Sequence, residues 1–172
     1  MRRTAHLTTE KIVPRIAITG HMNLTVDSVP LVRKAIIDAL APYTSDELIG
    51  ISCIARGADS IFAQAVLDVG GKLEVVLPTA DYREQKVKSD HAPQFDELMR
   101  RAKTVHVMPF KEANRVAYEA ANEVLVSTCD TLFAVWDGQS GADKGGTASV
   151  VEYALSRGVP VEVIWPEDAS RG

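Results

Sequence analysis

Short, β-branched apolar runs alternate along this chain with longer segments whose apolar positions recur at helical spacing. Ile16-Ala17-Ile18-Thr19 is the first run, ending at Gly20-His21. Behind Pro30, which an early helical position tolerates, Val32, Ala35, Ile36, Ala39 and Leu40 share a face. Leu48 to Ala55 (LIGISCIA) predicts a second buried strand. Ala58, Ile61, Phe62, Ala65, Val66 and Val69 predict a second helix, stopped by Gly70-Gly71. Leu73 to Leu77 is a third strand, ended by Pro78. The stretch from Asp81 to Asp90 is the most polar, and its basic part, Arg83 to Lys88, reads as a solvated helix face. From about Pro93 a helix places Phe95, Leu98, Met99 and Ala102 together. Thr104 to Met108, Thr131 to Trp136 and Val161 to Trp165 are the remaining strands. Between them lie helices marked by Ala117, Ala121 and Leu125 and by Val150, Val151 and Ala154.

Six strands alternating with five helices imply an α/β domain with right-handed crossovers: a doubly wound, mostly parallel sheet of about six strands with helices on both faces. LIGISCIA, LEVVL and TLFAVW are continuously apolar, as strands covered on both sides should be. One domain is expected over residues 13–166, with polar tails at 1–12 and 167–172. In such sheets ligands bind beyond the carboxyl ends of the strands, where strand order reverses.

Composition narrows the classes. With 172 residues and 46% hydrophobic residues, a full core is attainable without staples. Lys and Arg number 19 against 23 Asp and Glu, a net charge of −4, which argues against a broad nucleic-acid surface while allowing a local cationic pocket. Cys53 and Cys129 form no CxxC, and His6, His21, His91 and His106 are scattered, so neither a metal site nor a cofactor is expected. The first twelve residues lack an apolar signal core, and no run approaches the roughly 20 apolar residues of a membrane span. A cytoplasmic location, away from membranes, follows as the expectation.

Three strand-to-helix junctions carry candidate chemistry. In the first, Gly20 permits close backbone approach while His21 and Asn23 supply polar groups; a self-satisfied turn is the bland reading. The second, Arg56-Gly57-Ala58-Asp59, opens a helix, whose free N–H groups together with Arg56 suit an anion. Asp59 also fits as a helix-stabilising acid in any first turn. The third, Asp137 to Thr147 (DGQSGADKGGT), contains Gly138, Gly141, Gly145 and Gly146. Its glycines would let N–H groups converge on a phosphate, with Lys144 adding charge and Thr147 a hydroxyl. It is neither a Walker A loop nor GxGxxG, since Thr147 stands where Walker A needs lysine. Tyr118 and Asn122, one turn apart, are further candidates to reach a ligand.

Gly20-His21, RGAD at Arg56 to Asp59, Asp130 with AVWDG at Ala134 to Gly138, and GGT at Gly145 to Thr147 together resemble the SLOG superfamily. This Rossmann-like group includes the Lonely Guy (lysine-decarboxylase-like) phosphoribohydrolases and the DNA-processing-protein-A domain. The resemblance runs from about Ile16 to Trp165 and implies a Rossmann-like fold, a homodimer, and binding of a nucleotide or nucleotide-sugar phosphate near the GGT loop. The enzymes of the group carry GGxGTxxE, whose glutamate position is Val150 here; Glu152 lies two residues further, about 200° around the helix. Their Arg-Lys pair falls on Ala121 and Asn122.

The leading expectation is therefore a sensor or carrier module. Phosphate would rest on Gly145, Gly146 and Thr147 with Arg56 and Gly57 opposite, and His21 and Asp137 near the ribose. The alternative is an enzyme cleaving an N-glycosidic bond, a nucleotide phosphoribohydrolase or nucleoside deoxyribosyltransferase-like protein. Asp137 or Glu152 would be its carboxylate and His21 its acid. A purely structural role is the third reading.

Overall fold

The computed structural model describes residues 13–44, 47–139 and 146–172. Its strands are β1 (Arg15–Gly20), β2 (Ile49–Ser52), β3 (Lys72–Thr79), β4 (Thr104–Phe110), β5 (Thr131–Val135) and β6 (Val161–Ile164). The helices are α1 (Ser28–Leu40), α2 (Ala58–Asp68), α3 (Tyr82–Lys86), α4 (Ala92–Arg101), α5 (Arg115–Thr128) and α6 (Thr147–Ser156). All strand pairs are parallel, in the order β4-β3-β2-β1-β5-β6. The chain thus steps outward from β1 to β4, then returns to β1's other side. The reversal lies between β1 and β5.

Alternation along the central strands sets the two layers. Ile16, Ile18, Phe133 and Val135 face α1 and α2 through Val32, Ile36, Phe62 and Val66. Ala17, Ile51 and Leu132, one residue out of phase, face α5 and α6 through Ala121, Leu125, Val150 and Ala154. A third cluster joins Leu73, Val75 and Leu77 to Phe95 and Leu98 of α4. The doubly wound sheet expected from the sequence is therefore present, and fully parallel among the described residues. None of the described helices is long and apolar enough to cross a membrane.

Three elements differ from their sequence expectations, each for a physical reason. β3 continues through Pro78, because a register irregularity absorbs it: Leu77 pairs with Val107 and Thr79 with Phe110. β4 thus advances three residues where β3 advances two, and Pro109 sits in the same bulge, where a missing N–H costs no ladder bond. β2 stops at Ser52, whose hydroxyl accepts the Ile54 N–H at 2.9 Å and donates to the Asp59 carbonyl at 3.0 Å. The polar stretch contains α3, anchored by Tyr82, which is buried against Phe95 with ring centroids 6.1 Å apart.

Candidate functional site

At the reversal, β1 and β5 remain paired to their last residues, Gly20 and Val135, and the His21 N–H still donates to the Val135 carbonyl at 3.1 Å. Beyond them the chains part toward α1 and α6 and leave a crevice of about 400 Å³. Gly20, His21, Asp59, Asn122, Trp136, Thr147, Val150 and Arg171 are among its walls.

A three-residue polar cluster sits at its mouth. His21 Nε2 lies 3.2 Å from Asp137 Oδ1, and Arg171 Nε donates to Asp137 Oδ2 at 2.9 Å. Arg171 Nη1 is 3.3 Å from His21 Nδ1. Arginine can only donate, so Nδ1 accepts from it, while Nε2 meets both the Asp137 carboxylate and the Asp137 N–H, which points at it from 3.2 Å. Burial lowers the His21 pKa, the Arg171 charge lowers it further, and Asp137 opposes both. The ring is neutral near pH 7 and rests edge-on against Trp165 at 5.6 Å. The Asp137 carboxyl is held below its ordinary range: its hydrogen bonds from the Gln139 N–H and His21, with the nearby Arg171 charge, outweigh a desolvation that acts the other way.

The opposite wall is built by a strained turn. Ile54 has φ of +47°, a left-handed conformation that a β-branched residue adopts at a cost. Buried polar groups hold it there. The Ser60 hydroxyl lies 3.2 Å from the Ile54 carbonyl and 2.6 Å from the Ala55 carbonyl, and His91 Nε2 sits 3.2 Å from the Ile54 oxygen. Gly57 follows at φ +83°, and a Cβ there would meet the His21 carbonyl oxygen at 2.6 Å. The turn carries Asp59 into the crevice, where burial raises its pKa to about 7 against the opposing hydrogen bond from Ala55. A carboxyl that exchanges its proton near neutrality was not legible from RGAD.

The remaining expected residues separate. Gly20 lines the crevice, but its lack of a side chain serves packing: a Cβ would lie 2.5 Å from that of Ala58. The Ala58 N–H is not free for an anion, because it donates to the His21 carbonyl at 3.2 Å. Gly138 adopts φ +81° after β5, where a Cβ would meet no atom of the described residues within 4 Å. Gly146 has φ −78° and ψ −173°, extended backbone open to any residue. Thr147 is buried at the start of α6. Lys144 and Gly145, like Gly141, lie outside the described residues. Glu152 is exposed, whereas Val150 faces the crevice. Asn122 reaches the crevice, but Tyr118 packs edge-on against Tyr82. Asp130 is at the far end of the sheet, accepting the Arg15 N–H at 2.9 Å.

Arg56 does not oppose the GGT end of α6. It pairs with Asp90 and lines a neighbouring cavity of about 540 Å³ with Lys86, Lys88, Tyr82 and His91. Met22 and Asn23 line both cavities and form the wall between them. Among the described residues, no group of three His, Cys, Asp or Glu side chains is arranged to hold a metal ion.

No protein-family model matches the chain, and no curated protein matches it. Solved structures do. DNA processing protein A from Streptococcus pneumoniae superposes with a TM-score of 0.65 at 20% identity, over 90% of this chain and 51% of that one. The Helicobacter pylori protein of the same name gives 0.66 at 16%, over 92% and 69%. A molybdenum cofactor binding protein from Rippkaea orientalis gives 0.57 at 16%, over 90% and 77%. The chain spans about half the length of the S. pneumoniae protein. At these identities the likeness is one of fold, and the chain has the Rossmann-like α/β fold of these proteins.

One expectation is overturned. The H. pylori protein is described in a single-stranded DNA binding mode, so on this fold a mildly acidic net charge does not exclude nucleic acid. Net charge sums over the whole surface, whereas a single strand needs one basic groove with something to stack on. Arg56, Lys86 and Lys88 line one cavity and concentrate positive charge locally.

Proposed function

We propose that the chain is a ligand-binding module that holds a nucleotide or nucleotide-derived phosphate in the crevice between β1 and β5, as a sensor or carrier. The observation that carries this reading is the polar cluster of His21, Asp137 and Arg171 at the strand-order reversal, with Thr147 of α6 on the same crevice. A neutral imidazole and a carboxylate suit ribose hydroxyls, while a guanidinium and a helix start suit an oxyanion. The carrier role is supported by neighbours of this fold described as molybdenum cofactor binding and carrier proteins. Val150, an alkyl group where the group's hydrolases place their glutamate, favours holding over cleavage.

The test is a panel of nucleoside mono- and diphosphates followed by thermal shift, with chromatography of the same samples for released base. Stabilisation without released base is expected. Released base above a blank would replace the module with an N-glycosidic enzyme, and no response across the panel would overturn the nucleotide reading.

A second reading has its own observation. The cavity of Arg56, Lys86 and Lys88 shares the Met22–Asn23 wall with the crevice, so a single nucleic-acid strand could place a nucleotide in one and backbone phosphate against the other. Fluorescence anisotropy with a labelled oligothymidine decides it: binding that weakens steeply with salt and with Lys86→Gln plus Lys88→Gln supports a strand.

A further inference from the structure

The expected polar tail at 167–172 is docked. Ser170 is fixed on both sides: its N–H donates to Ser28 Oγ at 2.8 Å, and its carbonyl accepts from Ser28 Oγ at 3.0 Å and the Thr25 N–H at 3.1 Å. Gly172 and Asn23 exchange two more bonds, Gly172 N–H to Asn23 O at 2.8 Å and Asn23 Nδ2 to Gly172 O at 2.6 Å. Between these clamps Arg171 forms an antiparallel bridge with Leu24. Successive side chains in such a pairing point to opposite sides, and that of Arg171 enters the crevice.

We infer that Arg171 is a ligand-recognition residue, the cation that receives the anionic group of whatever the crevice binds. The inference rests on the nucleotide reading above for the identity of that anion as a phosphate. Among the described residues lining the crevice, Arg171 is the only side chain with a permanent positive charge. Arg56, which the sequence offered for this role, lines the other cavity. The guanidinium has five N–H donors. Among the described residues only Asp137 and His21 engage them, through Nε and Nη1. Asp137 can therefore keep Nε while the Nη groups turn to an oxyanion, the planar fork that matches phosphate. The carboxylate aims the arginine and need not be displaced. A side chain one-third exposed, on a backbone clamped at both neighbours, is positioned and still accessible.

The experiment uses the full chain as wild type, Arg171→Gln and Arg171→Lys, titrated by calorimetry with a nucleoside monophosphate, its parent nucleoside and inorganic pyrophosphate. Melting curves establish that each variant is folded. Wild type is expected to prefer the monophosphate. Arg171→Gln should lose at least tenfold for the monophosphate and for pyrophosphate, while nucleoside affinity stays within twofold. Arg171→Lys should fall between, having charge without the fork. Equal monophosphate affinity in wild type and Arg171→Gln would overturn the inference, as would an equal loss for nucleoside. If no nucleotide binds wild type but pyrophosphate does, and only with Arg171 present, the nucleotide reading fails and the role of Arg171 stands. If neither binds wild type, both fail.

Discussion

Gly20 and Ala58 touch through the absence of a side chain: a Cβ at Gly20 would come within 2.5 Å of the Ala58 Cβ and 2.8 Å of the Val135 Cβ. The end of the central strand and the start of α2 are thereby locked together beneath the crevice. Gly20→Ala should destabilise the fold by about 3 kcal/mol, the upper range for overpacking a rigid core. Adding Ala58→Gly should recover part of that loss. Urea denaturation measures both, and a wild-type midpoint for Gly20→Ala would show that the strand and helix separate easily.

Gly57 and Gly146 look alike in sequence, each opening a helix, yet should respond differently to alanine. Gly57 has φ +83° and faces backbone atoms at 2.6 to 2.9 Å, so Gly57→Ala combines strain with collision and should cost about 3 kcal/mol or more. Gly146 has φ −78°, so Gly146→Ala should cost at most about 1 kcal/mol, through a poorer N-cap. Denaturation midpoints of the pair, without ligand, check the contrast.

Stability should carry a pH signature from Asp59. Its folded-state pKa, raised from 3.8 to about 7, means that the folded chain keeps a proton there that the unfolded chain has already lost. Across that window the folded state is increasingly penalised as pH rises, so the Asp59 contribution falls between about pH 4 and 7. Asp59→Asn should flatten the fall and stabilise the protein most above pH 7. His21 acts in the opposite direction: with its pKa lowered from 6.5, its contribution is lost as pH drops below that value. Melting temperatures from pH 4 to 8 separate the two. An unchanged profile for Asp59→Asn would mean that its carboxyl ionises as in water.

The strained turn depends on Ser60. Ser60→Ala removes the hydroxyl shared by the Ile54 and Ala55 carbonyls and should cost about 1–3 kcal/mol, the usual penalty for orphaning buried polar groups. It should also speed amide hydrogen exchange around residues 54–58 more than in the central strands. Uniform acceleration across the molecule would instead indicate a global loss without a local role for the clamp.

Much of this architecture was readable from spacing, because the phase of Ile16, Ala17 and Ile18 already assigns each to a layer, and strands covered on both faces leave continuous apolar runs. What was hidden depends on contacts that no local pattern records. Pro78 ends a strand by rule, but a second proline, Pro109, shares its bulge and the strand continues. Arg56 and Asp59 are three residues apart and seemed to serve one ligand, yet they line different cavities across the left-handed backbone of Gly57. Arg171 gave no periodic signal at all, since its partner His21 is 150 positions away.

That separation also orders events in time. His21 is synthesised 150 residues before the arginine that faces it, whereas β5, which pairs with β1 from the other side, is already complete at Val135. A nascent chain acquires β1 to β4 before β5. It cannot present a finished crevice until Ser170 has reached Ser28 and Arg171 has come to rest between His21 and Asp137. Competence to grip an anion therefore depends on a contact between segments 150 positions apart, and not on the strands of the sheet alone.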